Sequence, residues 1–399
     1  MRFRVTVRLW LLLVLMASGL NAQSPAPRQG PPDLYFLTIG IGNFEESGSV
    51  PLQASASSAE VVARALIGAG ARFGYVLVSR PGEDGYVTRE DVRSALTQLK
   101  ARIRADGALA PRIVVYAMSH GVGDAPGRQT YLLTDDLHIP EPEISQGHAL
   151  RLARRAIWSV DLLATLMNFR LDPFFQELDP MLEADLFSDR AGLIGIIEHG
   201  RNLAARERRL AESRAQLGAR PVDNAPVPFL LLLDNCAFGV ATDQARTSRF
   251  LDSLTEQYFR ATLDVGVAFQ AAPFGVGAPV LPLPSRLTDP EDLITGSNGN
   301  PIPPWVGPMA VHLSSVLAAR DPSQTMTLEA LAAALAEAGS DLPESGLPSN
   351  PTQLPSYLRA DVGRVDFLPG LVSEPSGRFE YLTPSGDRLQ LCCADIGTR

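Results

Sequence analysis

The chain reads as an α/β protein: a three-layer α/β/α sandwich around a mainly parallel sheet, with a helical insertion and a small C-terminal hairpin. Three observations predict this. Short, wholly apolar runs recur, among them Ile113–Met118 and Phe229–Leu233, and runs of this length form strands buried on both faces. Stretches with apolar residues at helical spacing lie between such runs. That alternation implies right-handed crossovers and a parallel sheet. The two runs also end alike, the first in Ser119-His120-Gly121 and the second in Asp234-Asn235-Cys236. In an open parallel sheet the carboxyl ends of the strands are where ligands bind. An imidazole and a thiol far apart in sequence can therefore meet at one sheet edge.

The elements follow in order. Leu34–Ile39 is a first buried strand, ending in Gly40-Ile41-Gly42-Asn43. Ser57 or Ser58 can cap a helix through Leu66, with Gly68 and Gly70 ending it. Tyr75–Val78 is a second strand. Thr88-Arg89-Glu90-Asp91 is a helix start, and Val92, Leu96, Leu99 and Ile103 then fall on one helical face. The strand ending at His120 comes next. After Tyr131-Leu132-Leu133 and Asp135-Asp136, a helix is expected over Val160–Met167.

Residues 171–226 read as an inserted helical hairpin, acidic and apolar at first, then basic from Arg201 to Arg214. The insertion joins a helix end to a strand start, away from the carboxyl ends of the strands. Packing or binding of a partner protein is expected of it, rather than an active-site lid. Beyond Cys236, a helix is expected at Thr247–Leu263 and a strand at Val265–Gln270. The Pro/Gly-rich stretch Pro273–Pro308 then reads as a long loop, placed where substrate walls often form. Helices at Met309–Ala319 and Leu328–Ala338, a last core strand at Val365–Leu368, and a hairpin over Arg378–Leu391 turning at Pro384-Ser385-Gly386 complete the chain.

At 399 residues, with 45% hydrophobic and 20% charged residues, the composition is that of a globular protein and excludes a disordered one. A net charge of −9 argues against nucleic acid and against an anionic membrane surface as the main partner. Residues 1–22 have the make-up of a secretory signal peptide: basic Arg2, Arg4 and Arg8, an apolar run from Leu9 to Met16, then small residues to Ala22. The alternative is an uncleaved anchor, for which the apolar run is short. Cleavage after Ala22 leaves a chain of charge about −12 with no stable membrane span, secreted or periplasmic. Residues 23–32 read as a flexible lead-in. Three cysteines do not make a disulfide framework. Cys236 is the natural free thiol, while Cys392-Cys393 can form a vicinal disulfide, pair between chains or stay reduced.

The chemistry centres on two residues. His120 can act as the base that holds Cys236 as thiolate and then protonates a departing amine. The blander reading of each is a His-Gly turn and an inert buried thiol. Backbone N–H groups of Gly121 and Cys236 could form an oxyanion hole, and Gly121 permits close approach of a substrate. Gly40-Ile41-Gly42 is not a dinucleotide loop, because Glu45 stands where the third glycine belongs. His138, His148, His199 and His312 show no metal-ligand spacing, and no metal is expected from them.

These residues resemble the caspase/metacaspase group of cysteine peptidases. Tyr116-Ala117-Met118-Ser119-His120-Gly121 is similar to that family's Tyr-x-x-Gly-His-Gly stretch, with Ser119 where Gly is usual. Leu233-Asp234-Asn235-Cys236-Ala237-Phe238-Gly239 is similar to its Leu-Asp-x-Cys-x-x-Gly stretch. Gly40–Asn43, the Thr88 helix start, Tyr131-Leu132-Leu133 and Thr352-Gln353-Leu354-Pro355 support the match. The resemblance implies a caspase-like peptidase domain over residues 33–370, followed by a hairpin tail over 371–399. It implies His120 as general base, Cys236 as nucleophile, and a peptide or protein as substrate.

It also implies that Asp234 lines the primary specificity pocket and selects Arg or Lys through a charge-assisted contact; the alternative is a turn residue capping its own backbone. Met118, Ser55 and Ser58 fall at the other pocket positions, with Ser58 where the family carries a second acid. That departure weakens basic specificity and leaves a scaffold without activity, or cleavage after a non-basic residue, as alternatives. Asp135-Asp136 falls where some members bind calcium, and two acids alone read as a solvated turn. No other cofactor is expected.

Overall fold

A computed structural model describes residues 31–44, 51–82, 85–123, 130–132, 157–158, 162, 165–166, 169, 171, 227–235, 266–270, 281–284, 287–288, 293–295, 300–338, 352–354, 364–371, 375–384 and 391–392. The signal peptide, most of the lead-in, nearly all of the insertion, the Thr247–Leu263 helix, Asp135, Asp136, Cys236 and Cys393 lie outside the described residues.

The protein is α/β. Strands β1 (Asp33–Ile41), β2 (Phe73–Ser79), β3 (Pro111–Met118), β7 (Phe229–Asp234), β8 (Gly266–Gln270) and β16 (Arg378–Leu382) form a parallel sheet in the order β8-β7-β3-β1-β2-β16. Antiparallel β14 (Thr352–Leu354) and β17 (Leu391–Cys392) close its two edges. β1 to β3 and β7 are buried at every position, save the partly exposed Asp33. This is why they read as continuous apolar runs rather than alternating ones.

Helices cover both faces. Strand residues of one parity, including Tyr35, Leu37, Ile113, Val115 and Leu231, pack with Val92, Leu96, Leu99 and Ile103 of helix α2 (Arg89–Ala105), and with Leu162 and Leu166. The alternate residues, Phe36, Val114, Tyr116, Met118, Leu230 and Leu232, pack with α1 (Ala54–Gly68), α3 (Pro308–Ala319) and α4 (Leu328–Ala338). The chain builds β2 on one side of β1 and β3 on the other, so the strand order reverses between β1 and β3. In such sheets the crevice beyond the carboxyl ends at that reversal is the usual ligand site.

Several expectations change. The first helix starts at Ala54, before Ser57 and Ser58, and its N-cap Gln53 makes no side-chain cap. Ser58 Oγ instead donates back to the Ala54 carbonyl at 2.5 Å, a bond available only inside a helix. The α2 start stands as read: Thr88 and Asp91 form a reciprocal capping box. Residues 366–368 are a strand, β15, but it pairs with β13 (Met326–Thr327) in a separate two-stranded sheet. Buried Arg112 at the start of β3 ties it down, its Nε donating to the Asp366 carbonyl at 2.9 Å.

The Pro/Gly-rich loop carries two small antiparallel pairs, β9 (Leu281–Pro282) with β12 (Trp305–Val306) and β10 (Ile294–Thr295) with β11 (Pro301–Ile302). The C-terminal hairpin is present as β16–β17. Its first strand is no appendage, because it lies parallel to β2 within the main sheet.

Candidate active site at the carboxyl ends of the strands

β3 and β7 are neighbours, and their last registered pair is Met118 with Asp234. His120 follows two residues beyond Met118, at the start of a small antiparallel sheet of β4 (Gly121–Gly123), β5 (Thr130–Leu132) and β6 (Ile157–Trp158). The imidazole is half-buried and packs on Phe44, with ring centroids 4.8 Å apart and planes inclined by 48°. Phe44 is fully buried, so it fixes one face of the ring. Gly121 pairs with Leu132 across β4–β5.

The turn before Phe44 is held from β2: Ser79 Oγ accepts from the backbone N–H groups of Gly42 and Asn43 at 3.2 and 3.3 Å. The glycines here serve close packing. A Cβ on Gly40 would lie 2.4 Å from the Ser55 carbonyl oxygen, so β1 meets the start of α1 backbone to backbone.

The four residues expected to line the pocket are all buried. Asp234 and Met118 are each 1% exposed, and Ser55 and Ser58 are inaccessible. Met118 is part of the core on the α3 side of the sheet. Ser55 Oγ donates to the Leu52 carbonyl at 2.8 Å. Asp234 Oδ2 accepts from Tyr116 Oη at 2.9 Å, and from the backbone N–H groups of Met309 and Ala310 at 3.1 and 3.3 Å. Ser58 Oγ accepts from the Gly307 N–H at 2.9 Å.

Asp234 and Ser58 thus meet at the N-terminus of α3. Burial pushes the Asp234 carboxyl up to about 6, against the three donors that favour its charged form. Tyr116 is raised well above the ordinary phenol range, by burial and then by the Asp234 charge.

Sequence reading missed three members of this assembly: Tyr116, Gly307 and Phe44. Tyr116 carries a signal, since a tyrosine inside an otherwise apolar run needs a partner for its hydroxyl. Gly307-Pro308 is a helix-start pattern, with Pro at the first helical position. Phe44 carries none. Among the described residues there is no group of three or more His, Cys, Asp or Glu able to hold a metal ion. Nor is any described helix long and apolar enough to cross a membrane. No protein-family model matches the chain, and no curated protein is significantly similar to it.

Proposed function

We propose that the chain is an exported cysteine endopeptidase of caspase-like architecture, with His120 and Cys236 as its dyad. One observation carries the reading. The strand that leads to His120 and the strand that leads to Cys236 are parallel neighbours with Met118 opposite Asp234, next to the point where strand order reverses. Each dyad residue stands two positions past that last pair, and neighbouring strands are about 4.8 Å apart.

In this mechanism the Cys236 thiolate attacks the peptide carbonyl carbon. The oxyanion is held by the backbone N–H groups of Gly121 and Cys236. His120 passes the thiol proton to the departing amine, leaving a thioester. It then takes a proton from the water that hydrolyses it. Export follows from residues 1–22, and a partner-binding role goes to residues 171–226.

The test uses the mature chain with electrophilic peptides and a peptide library varied before the cut bond. Labelling at Cys236 is expected, together with cleavage that drops roughly 10^3-fold or more in Cys236→Ala. A folded protein that neither cleaves nor labels would sink the proposal. The burial of Asp234, Met118, Ser55 and Ser58 favours one second reading, a caspase-fold binding protein without an open specificity pocket.

A further inference from the structure

Helix α3 begins without a cap of its own. Its N-cap is Gly307 and its first residue is Pro308, so neither the side chain nor the proline nitrogen can serve the first turn. The missing cap comes from β7. Asp234 Oδ2 accepts from Met309 and Ala310 N–H, the second and third helical positions, which a capping aspartate ordinarily serves from within its own helix. Tyr116 of β3 adds a third donor. The fit is close, since a Cβ on Gly307 would lie 2.2 Å from Oδ2. Oδ1 is buried and without a partner among the described residues.

We infer that Asp234 is a positioning residue: it fixes the end of β7 against the N-terminus of α3, and so sets where the Cys236 thiol stands, instead of reading a basic side chain of the substrate. The inference rests on the peptidase reading. Asp234 is the last residue of β7 in the sheet ladder. Its side chain therefore anchors the strand end two residues before the nucleophile, and a displacement of about 1 Å at a reacting atom can cost on the order of 10^2-fold in rate. The helix N-terminus also carries roughly half a positive charge. A carboxylate already facing that charge is a poor receptor for an incoming guanidinium.

The test compares wild type, Asp234→Asn and Tyr116→Phe. Alkylation of Cys236 by iodoacetamide is followed against pH, and kcat and KM are measured on peptides with Arg, Lys, Asn or Ala before the cut. Tyr116→Phe keeps the Asp234 side chain and removes one of its three donors, so a change there reports how firmly the carboxylate is held. Expected are a slower or pH-shifted alkylation in both variants, and a kcat reduced about 10- to 100-fold in Asp234→Asn by the same factor for every peptide, with KM within about 3-fold. A wild-type preference for Arg or Lys that vanishes in Asp234→Asn overturns the inference. So does an alkylation profile that Tyr116→Phe leaves unchanged, and this arm decides alone if Asp234→Asn fails to fold. Wild type that cuts no peptide defeats the peptidase reading instead, and the alkylation profile still decides the positioning role.

Discussion

At neutral pH Asp234 holds a charge that its surroundings resist. Three donors face it, yet burial outweighs them, and the carboxyl sits at about 6. Its ordinary value is 3.8, so between roughly pH 4 and 6 the folded protein keeps a proton that the unfolded chain has released. Stability therefore falls as pH rises through that window and levels off above it. The size is on the order of 3 kcal/mol, about two pK units at 1.4 kcal/mol each. Asp234→Asn has no such proton. Urea midpoints of wild type and variant, measured from pH 4 to 7.5, are expected to diverge toward acid pH, with wild type gaining. A constant difference would show that the carboxylate is ionised at the same pH folded and unfolded. The sequence shows an aspartate at a strand end. It does not show that the aspartate faces a helix 75 residues further on, because only packing brings the two together.

Helix starts show where local reading holds and where it stops. The α2 start is self-contained: Thr88 and Asp91 satisfy each other within four residues, so the pattern is legible. Thr88→Ala should cost about 1 kcal/mol, measured by chemical denaturation. The α1 start is not legible, because Ser55 and Ser58 have cap chemistry yet lie inside the helix, bonded to the Leu52 and Ala54 carbonyls. The α3 start is half legible. Gly307-Pro308 marks the place, while the caps arrive from Asp234 and Ser58 on other elements. Two glycine substitutions separate these effects. Gly307→Ala presses a methyl into the Asp234 carboxylate and should destabilise by about 1–3 kcal/mol. Gly68→Ala at the end of α1 meets nothing within 4 Å, so thermal melts should show no loss and a gain of up to about 1 kcal/mol.

The whole molecule depends on a strand that sequence reading sets aside as a tail. The hairpin itself is legible, because its turn and strands are local. The pairing of β16 with β2 is not, since the partner lies some three hundred residues earlier and no local pattern names it. Phe379 and Leu382 are buried, the Phe379 ring lies 6.4 Å from that of Phe36, and Tyr381 Oη donates to Glu60 Oε1 at 3.0 Å. Burying two such side chains contributes about 3–6 kcal/mol, comparable with the whole stability of an ordinary domain. Ending the chain after Gly370 also leaves the buried strand β2 as an open edge, which invites aggregation. Such a truncated protein is expected to be largely insoluble, and its soluble fraction to lack a cooperative melt. The loss also reaches the candidate site. β2 supplies Ser79, which holds Gly42 and Asn43, and the next residue, Phe44, packs on His120. Loosening β2 therefore loosens the imidazole, and alkylation of Cys236 in the soluble fraction should slow. A truncated chain that melts and alkylates like the full one would put residues 371–399 outside the cooperative fold.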